Sequence, residues 1–245
     1  MNLLSQWWNP SSKERRVEIL ECREANESSG LFRDVHYVDA RDKTKTYKEL
    51  FSLCADKWPG QLCVVANTDI IFDETIRLLE PHVDDSTFVA LTRWDSPVSP
   101  RMIGHVLHVP KTTTFAQKQH YDDFCFFAGS QDVWAFIATD KVRSAPDIPL
   151  GIQACDQGVA AWAIAEAFRI VNPCLSVKTW HRHKTPRQTG DGDLIYMGLY
   201  AYPQATTIDG IHETMVGSHE WTKESAGKPI QWSVTRSQGR DADHS

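Results

Sequence analysis

Three places in the sequence set ionisable residues next to apolar runs, where a fold can hold them still. The first is Asn67-Thr68-Asp69, directly after the continuous apolar stretch Leu62-Cys63-Val64-Val65-Ala66. A carboxylate on a short backbone at a strand end can hold a divalent cation, Mn2+ or Mg2+, against phosphate oxygens. The same triplet also suits a turn or a helix cap, because short acidic motifs are common. The second is His181-Arg182-His183, after Val177-Lys178-Thr179-Trp180. A neutral imidazole at His181 is a good ligand for manganese-like ions. Lys184 and Arg187 follow and can pair with phosphate oxygens, the arginine by a two-pronged contact. A solvated surface loop accounts for the same residues. The third is a pair of carboxylates. Asp132, in Ser130-Gln131-Asp132-Val133-Trp134, opens an apolar run and can orient a ligand hydroxyl. Asp156 opens a helix after Gly151-Ile152-Gln153-Ala154-Cys155. There it either complements the helix dipole or, if burial raises its pKa, takes a proton from a hydroxyl as a general base.

These residues act together only if the elements between them converge. Leu3 to Trp8 is predicted as a strand, ended by Asn9-Pro10. A helix is predicted from Lys13 to Asn26, capped by Ser11 or Ser12, with Val17, Leu20 and Cys22 to Ala25 as its apolar side. Val35 to Val38 is a strand, and Tyr47 to Trp58 a helix stopped by Pro59-Gly60. The run Leu62 to Ala66 reads as a strand buried on both faces. Ile70 to Phe72 continues it, a short helix runs from Asp73 through Leu79, and Thr87 to Leu91 is the next strand. This alternation predicts an α/β fold with a mostly parallel central sheet flanked by helices. Such sheets bind ligands outside the carboxyl ends of their strands, which is where Asn67-Thr68-Asp69 falls.

Asp95 to Asp123 lacks periodicity and reads as a long functional loop. Val133 to Ile137 is a strand, Cys155 to Phe168 a helix, and Ile170-Val171 and Leu175 to Val177 are short strands. The chain turns polar and glycine-rich after Gly190. One domain over 1–216 and a weakly ordered extension over 217–245 are expected.

Composition narrows the classes. The 245 residues are 41% hydrophobic, enough for one sizeable core. A net charge of −6 argues against a general nucleic-acid binder. The nine tryptophans serve as core fillers or as platforms that stack on sugar rings. The six cysteines form no CxxC pair; Cys54 and Cys63, in apolar patterns, read as buried thiols, and a reducing compartment is expected. No apolar run reaches membrane-span length, and the first residues are too short and polar for a signal peptide. A cytoplasmic protein is expected.

Several of these runs, in order, resemble a known family. They are Leu4-Ser5-Gln6, Glu14-Arg15, Val65 to Asp73, Ala90 to Asp95, Ser130 to Trp134 and Thr179 to His183. Together, over Leu3 to Arg187, they resemble small GT-A glycosyltransferase domains of bacterial and large-DNA-virus origin, such as the domain that opens the chlorovirus rhamnosyltransferase. The resemblance implies a Rossmann-like GT-A fold and a nucleoside-diphosphate sugar as donor. It implies a glycan acceptor as the second partner. It places the donor near Ser5, Gln6 and Arg93, with Asn67, Thr68 and Asp69 as the DXD-like motif. Asp69 and His181 would be metal ligands, and Asp132 and Asp156 the sugar-binding and catalytic acids. The chain departs from the pattern at Asn67, whose amide oxygen is a weaker ligand than a carboxylate and carries no charge. Two other readings stand beside this one. A sugar-nucleotide-forming nucleotidyltransferase needs a glycine-rich basic loop after the first strand, and Asn9-Pro10-Ser11-Ser12-Lys13 has no glycine. A non-catalytic module that binds nucleotide sugar or glycan gains weight from Asn67.

Overall fold

The structure is a computed structural model, and it describes residues 1–41, 44–94, 130–152, 154–182, 198–213, 215–221 and 233–236. Its centre is a six-stranded sheet made by β1 (Asn2–Trp7), β2 (Val35–Asp39), β3 (Leu62–Ala66), β5 (Thr87–Leu91), β6 (Val133–Ile137) and β7 (Arg169–Val171). The strand order is β2-β1-β3-β6-β5-β7. β6 runs antiparallel to both neighbours, and every other pair in the sheet is parallel. The fold is therefore α/β with a mixed, mostly parallel sheet. β4 (Ile70–Phe72) and β8 (Thr179–His181) form a separate antiparallel pair. β9 (Gly198–Pro203), β10 (Met215–Trp221) and β11 (Ser233–Arg236) form a third sheet. The domain boundary expected after residue 216 falls inside β10.

Successive strand residues point to opposite faces, so a sheet covered on both sides demands apolar residues at every position. All five residues of β5 are buried. Leu4, Cys63, Val65, Phe88 and Trp134 face one core, where Tyr47, Phe51 and Phe136 pack. Leu3, Val64, Val89 and Val133 face the other, where Ile70, Ile76 and Leu79 pack. The first core is closed by helices α2 (Tyr47–Lys57) and α3 (Cys155–Ala165). β9 and β10 add Ala201 and Val216 to it.

α2 begins where Thr46 and Glu49 form a reciprocal capping box. The Thr46 hydroxyl accepts from Glu49 N at 3.3 Å, and the Glu49 carboxylate accepts from Thr46 N at 2.8 Å. Two of the helix-end donors are thereby satisfied.

Three sequence expectations need correction. Helix α1 (Lys13–Ser28) is rolled away from the expected side: Cys22 is buried as expected, but beside Glu18, Ile19 and Asn26, while Val17 and Leu20 stay 46% and 38% exposed. Among the described residues β4 pairs with β8 alone, and the polar inward face of α1 meets backbone groups on its other edge. Asn26 meets them, donating from Nδ2 to Ile70 O at 2.8 Å and accepting at Oδ1 from Phe72 N at 3.3 Å. Second, Ile70 to Phe72 does not extend β3, since the turn at Thr68-Asp69 carries it to β8. Third, Leu175 to Val177 forms turns rather than a strand; Val177 N bonds back to Pro173 O at 2.9 Å. The short helix after Asp73 is a tight 3-10 helix, Glu74–Leu79.

Thr46→Ala removes one half of the capping box and is expected to cost about 1 kcal/mol, read as a lower urea midpoint at unchanged slope.

Candidate active site

The candidate site forms where β1, β3 and β5 end and β6 begins. Val133 lies opposite both Ala66 and Leu91. Because β6 is antiparallel, its amino end arrives at the same sheet edge as the carboxyl ends of its neighbours. Asp132, just before β6, therefore meets Asn67 after β3 and Arg93 after β5. Asn67 N donates to Asp132 O at 2.9 Å, and Asn67 Nδ2 donates to Asp132 Oδ1 at 2.5 Å. Arg93 Nη1 donates to the same oxygen at 2.7 Å, and the Ser130 hydroxyl to Oδ2 at 3.2 Å. Asp132 is 2% exposed and fully engaged. Arg93 Nε is buried and meets no hydrogen-bond partner among the described residues. A guanidinium donor of that kind suits an anionic ligand oxygen.

Asp156 joins this group from the first turn of α3. Its Oδ2 accepts from Gln131 N at 3.3 Å. Its Oδ1 accepts from Cys155 Sγ at 3.2 Å and from the Tyr47 hydroxyl at 3.4 Å. The Asp156 side chain keeps partial contact with solvent while protein surrounds it. Burial, and then the charge of Asp132, push its pKa up to about 7, against opposing contributions from Cys155, Arg93 and Gln131 N–H. A carboxyl that titrates there is suited to take up a proton at neutral pH. The chain enters α3 through Ala154 at φ 65°, the left-handed region. A non-glycine residue in that region stores roughly 1 kcal/mol, and such strain tends to sit at functional sites.

A second cluster adjoins the first. Asp69 Oδ2 accepts from Arg15 Nη2 and from His181 Nε2, the latter at 3.0 Å. Arg15 is held in turn by Glu18 at 3.0 Å and by Arg182 O at 3.4 Å. Arg182 N donates to Asp69 O at 2.8 Å. Burial alone would raise the Asp69 carboxyl, but His181 and then Arg15 outweigh it and hold the pKa far below the usual carboxylate range. Arg93 feels the charge of Asp69 as well as those of Asp132 and Asp156, so the two clusters share one electrostatic region.

The structure thus brings Asn67, Asp69, Arg93, Asp132, Asp156 and His181 to one edge. Ser5, Gln6 and Thr68 lie at that edge but turn polar atoms inward. The Ser5 hydroxyl donates to Ala66 O at 2.8 Å, and the Thr68 hydroxyl to Gln6 O at 3.0 Å. Gln6 Oε1 accepts from Lys45 N at 3.1 Å. These bonds tie β1 to the β3 turn. Lys184 and Arg187 lie outside the described residues, as does the segment Asp95 to Asp123. Sequence reasoning gave no role to Arg15, Tyr47 or Cys155. The usable signal was polar: Glu18, Cys22 and Asn26 recur at four-residue spacing on α1, along one face that also carries Arg15.

A divalent ion does not fit this donor set. Asp69 is the carboxylate of the expected motif, and the oxygen it presents to His181 is already paired with a guanidinium. Asn67 adds no charge, and its amide donates to Asp132. Among the described residues, no group of three His, Cys, Asp or Glu side chains could hold a metal ion.

Three outcomes follow from these environments. Asp69→Ala leaves the half-buried Arg15 charge short of a partner and is expected to cost about 3 kcal/mol. Asp39→Ala, which breaks the exposed pair with Arg41, leaves the denaturation midpoint unchanged. Asp156 binds its proton more tightly folded than unfolded, so its neutral form favours the fold and stability declines as pH rises from the ordinary carboxyl range towards about 7. Asp156→Asn escapes that decline, so its stability relative to the unsubstituted chain should climb between about pH 4 and about pH 7 in urea titrations and stay level above.

No family model matches the chain, and no curated protein sequence matches it. Among solved structures it is similar to a glycosyltransferase involved in the glycosylation of the major capsid of PBCV-1. That likeness covers 76% of this chain and 94% of the other, at 10% identity and a TM-score of 0.42. The neighbour is a chlorovirus glycosyltransferase, the kind of protein the sequence motifs resemble; at that identity and score the likeness assigns neither an activity nor a residue role.

Proposed function

We propose that the chain is a glycosyltransferase that moves a hexose or deoxyhexose from a nucleoside-diphosphate sugar to a hydroxyl of a glycan acceptor. One observation carries the reading. At the carboxyl edge of the sheet, a carboxyl raised to about 7 sits in the same network as a half-buried arginine whose Nε meets no partner among the described residues. Those are the two groups that the transfer needs on opposite sides of the sugar.

In an inverting transfer the acceptor oxygen attacks the anomeric carbon and loses its proton. Asp156, in its ionised form, takes that proton. The bond from the anomeric carbon to the phosphate oxygen breaks, and its electron pair leaves on the diphosphate. Arg93 Nε stands ready to donate to that developing charge, and Lys184 and Arg187 are the further cations that the sequence offers. Charge stabilisation by fixed donors is commonly the largest contribution to such a rate. Asp132 has a different role. Held by Arg93, Asn67 and Ser130, it stays an acceptor that orients Arg93 and a sugar hydroxyl. Its negative charge also raises the proton affinity of Asp156. Tyr47 and Cys155 hold Asp156 from behind.

A panel of nucleoside-diphosphate sugars, tested with glycan acceptors for diphosphate release, checks this reading. Turnover is expected to rise with pH through about 7, and Asp156→Asn to lower it by about 100-fold or more while a nucleoside diphosphate still raises the melting temperature. Pyrophosphate release from a nucleoside triphosphate and a sugar phosphate would replace this reading with nucleotidyl transfer. Binding of the diphosphate without turnover of any donor would replace it with a binding module.

A further inference from the structure

We infer that Arg15 stands where a metal ion would otherwise sit against Asp69, and that this site takes its diphosphate ligand without a divalent cation. The part about Arg15 and Asp69 concerns the protein alone; the part about the ligand rests on the proposed donor.

The spacing of Asp69 and His181 does not settle the matter by itself. Two ligands of one ion, each about 2.1 Å from it, also stand about 3 Å apart. Arg15 settles it. An ionised carboxylate oxygen has two in-plane acceptor positions. On Asp69 Oδ2 one faces the Arg15 guanidinium and the other faces His181 Nε2. A guanidinium can only donate, so this oxygen accepts from Arg15 and its place beside the carboxylate is filled by a fixed cation. His181 Nε2 is turned to the same oxygen at 3.0 Å. The Arg15 guanidinium thus lies against the oxygen that the expected metal pair would share with an ion.

Arg15 is also fixed rather than loosely placed. It rises from the first turn of α1, and its Nη1 is gripped by Glu18 and by Arg182 O. The guanidinium stays charged at any working pH and keeps the fork geometry that suits carboxylate on one side and phosphate on the other. Asn67 agrees with this arrangement. With Arg15 already neutralising Asp69, a second carboxylate at position 67 would have no cation of its own. The amide instead bridges to Asp132.

The test titrates Mn2+ into the full chain and follows the free-ion signal by electron paramagnetic resonance, alongside Arg15→Gln and the double variant Arg15→Gln/Asp69→Asn. The unsubstituted chain is expected to leave Mn2+ free. Arg15→Gln, which uncovers the Asp69 carboxylate, is expected to bind it at least tenfold tighter, and the double variant to lose that gain. In parallel, the melting-temperature shift caused by a uridine or guanosine diphosphate is measured in EDTA and in Mn2+, with equal shifts expected. Mn2+ binding by the unsubstituted chain that Asp69→Asn abolishes would overturn the inference. So would a folded Arg15→Gln that gains no Mn2+ affinity, or a diphosphate shift seen only with the metal. If Arg15→Gln does not fold, the two arms on the unsubstituted chain decide. If no nucleoside diphosphate shifts the melting temperature under either condition, the donor reading fails, and the Mn2+ titrations still judge the role of Arg15.

Discussion

The buried pairing of Asp69 with Arg15 and His181 constrains most of what surrounds it. A charge taken out of water is tolerated only when its partners are in place. Here the pairing joins three separate elements: the turn after β3, which carries Asp69, and α1 and β8, which supply its partners. Their pairing fixes how α1 rolls on the sheet, which is why the helix buries Glu18, Cys22 and Asn26 and leaves Val17 and Leu20 outside. It also fixes β8 beside β4, since His181 lies opposite Ile70 in that pair and Arg182 N closes on Asp69 O. The chemistry of one aspartate thus sets local architecture as much as it serves any ligand.

The other two carboxylates show how neighbouring groups of one type come to behave differently. Asp132 receives four hydrogen bonds, one of them from a guanidinium and one at its backbone oxygen. Asp156 receives weaker, longer contacts from a thiol, a phenol and one backbone N–H. With Asp132 charged nearby and protein enclosing both, Asp156 holds its proton to about pH 7. The left-handed turn at Ala154 belongs to the same arrangement, because it aims the start of α3, and with it Asp156, at Gln131.

Topology brings these groups together. In a sheet of parallel strands alone, the residue before β6 would have emerged at the far edge. Running β6 in reverse places Asp132 between the ends of β3 and β5. The hydroxyls of Ser5 and Thr68 then stitch the ends of β1 and β3 into a firm rim. Side chains that look available in the sequence are in this way consumed by the scaffold.

The sequence alone determined the strands and helices wherever solvent exposure follows a period. Leu62 to Ala66, Thr87 to Leu91 and Val133 to Ile137 are unbroken apolar runs because both of their faces are covered, and their positions could be read directly. Placing Asn67-Thr68-Asp69 at a strand end, and Asp156 at a helix start, needed no more than that. The direction of β6, the roll of α1, the separation of β4 from β3 and the partner of Asp69 were settled only in three dimensions. Each depends on contacts between residues far apart in the chain, as Arg15 with Asp69 and Asp69 with His181, and a local pattern carries no trace of which distant charge will answer a buried one.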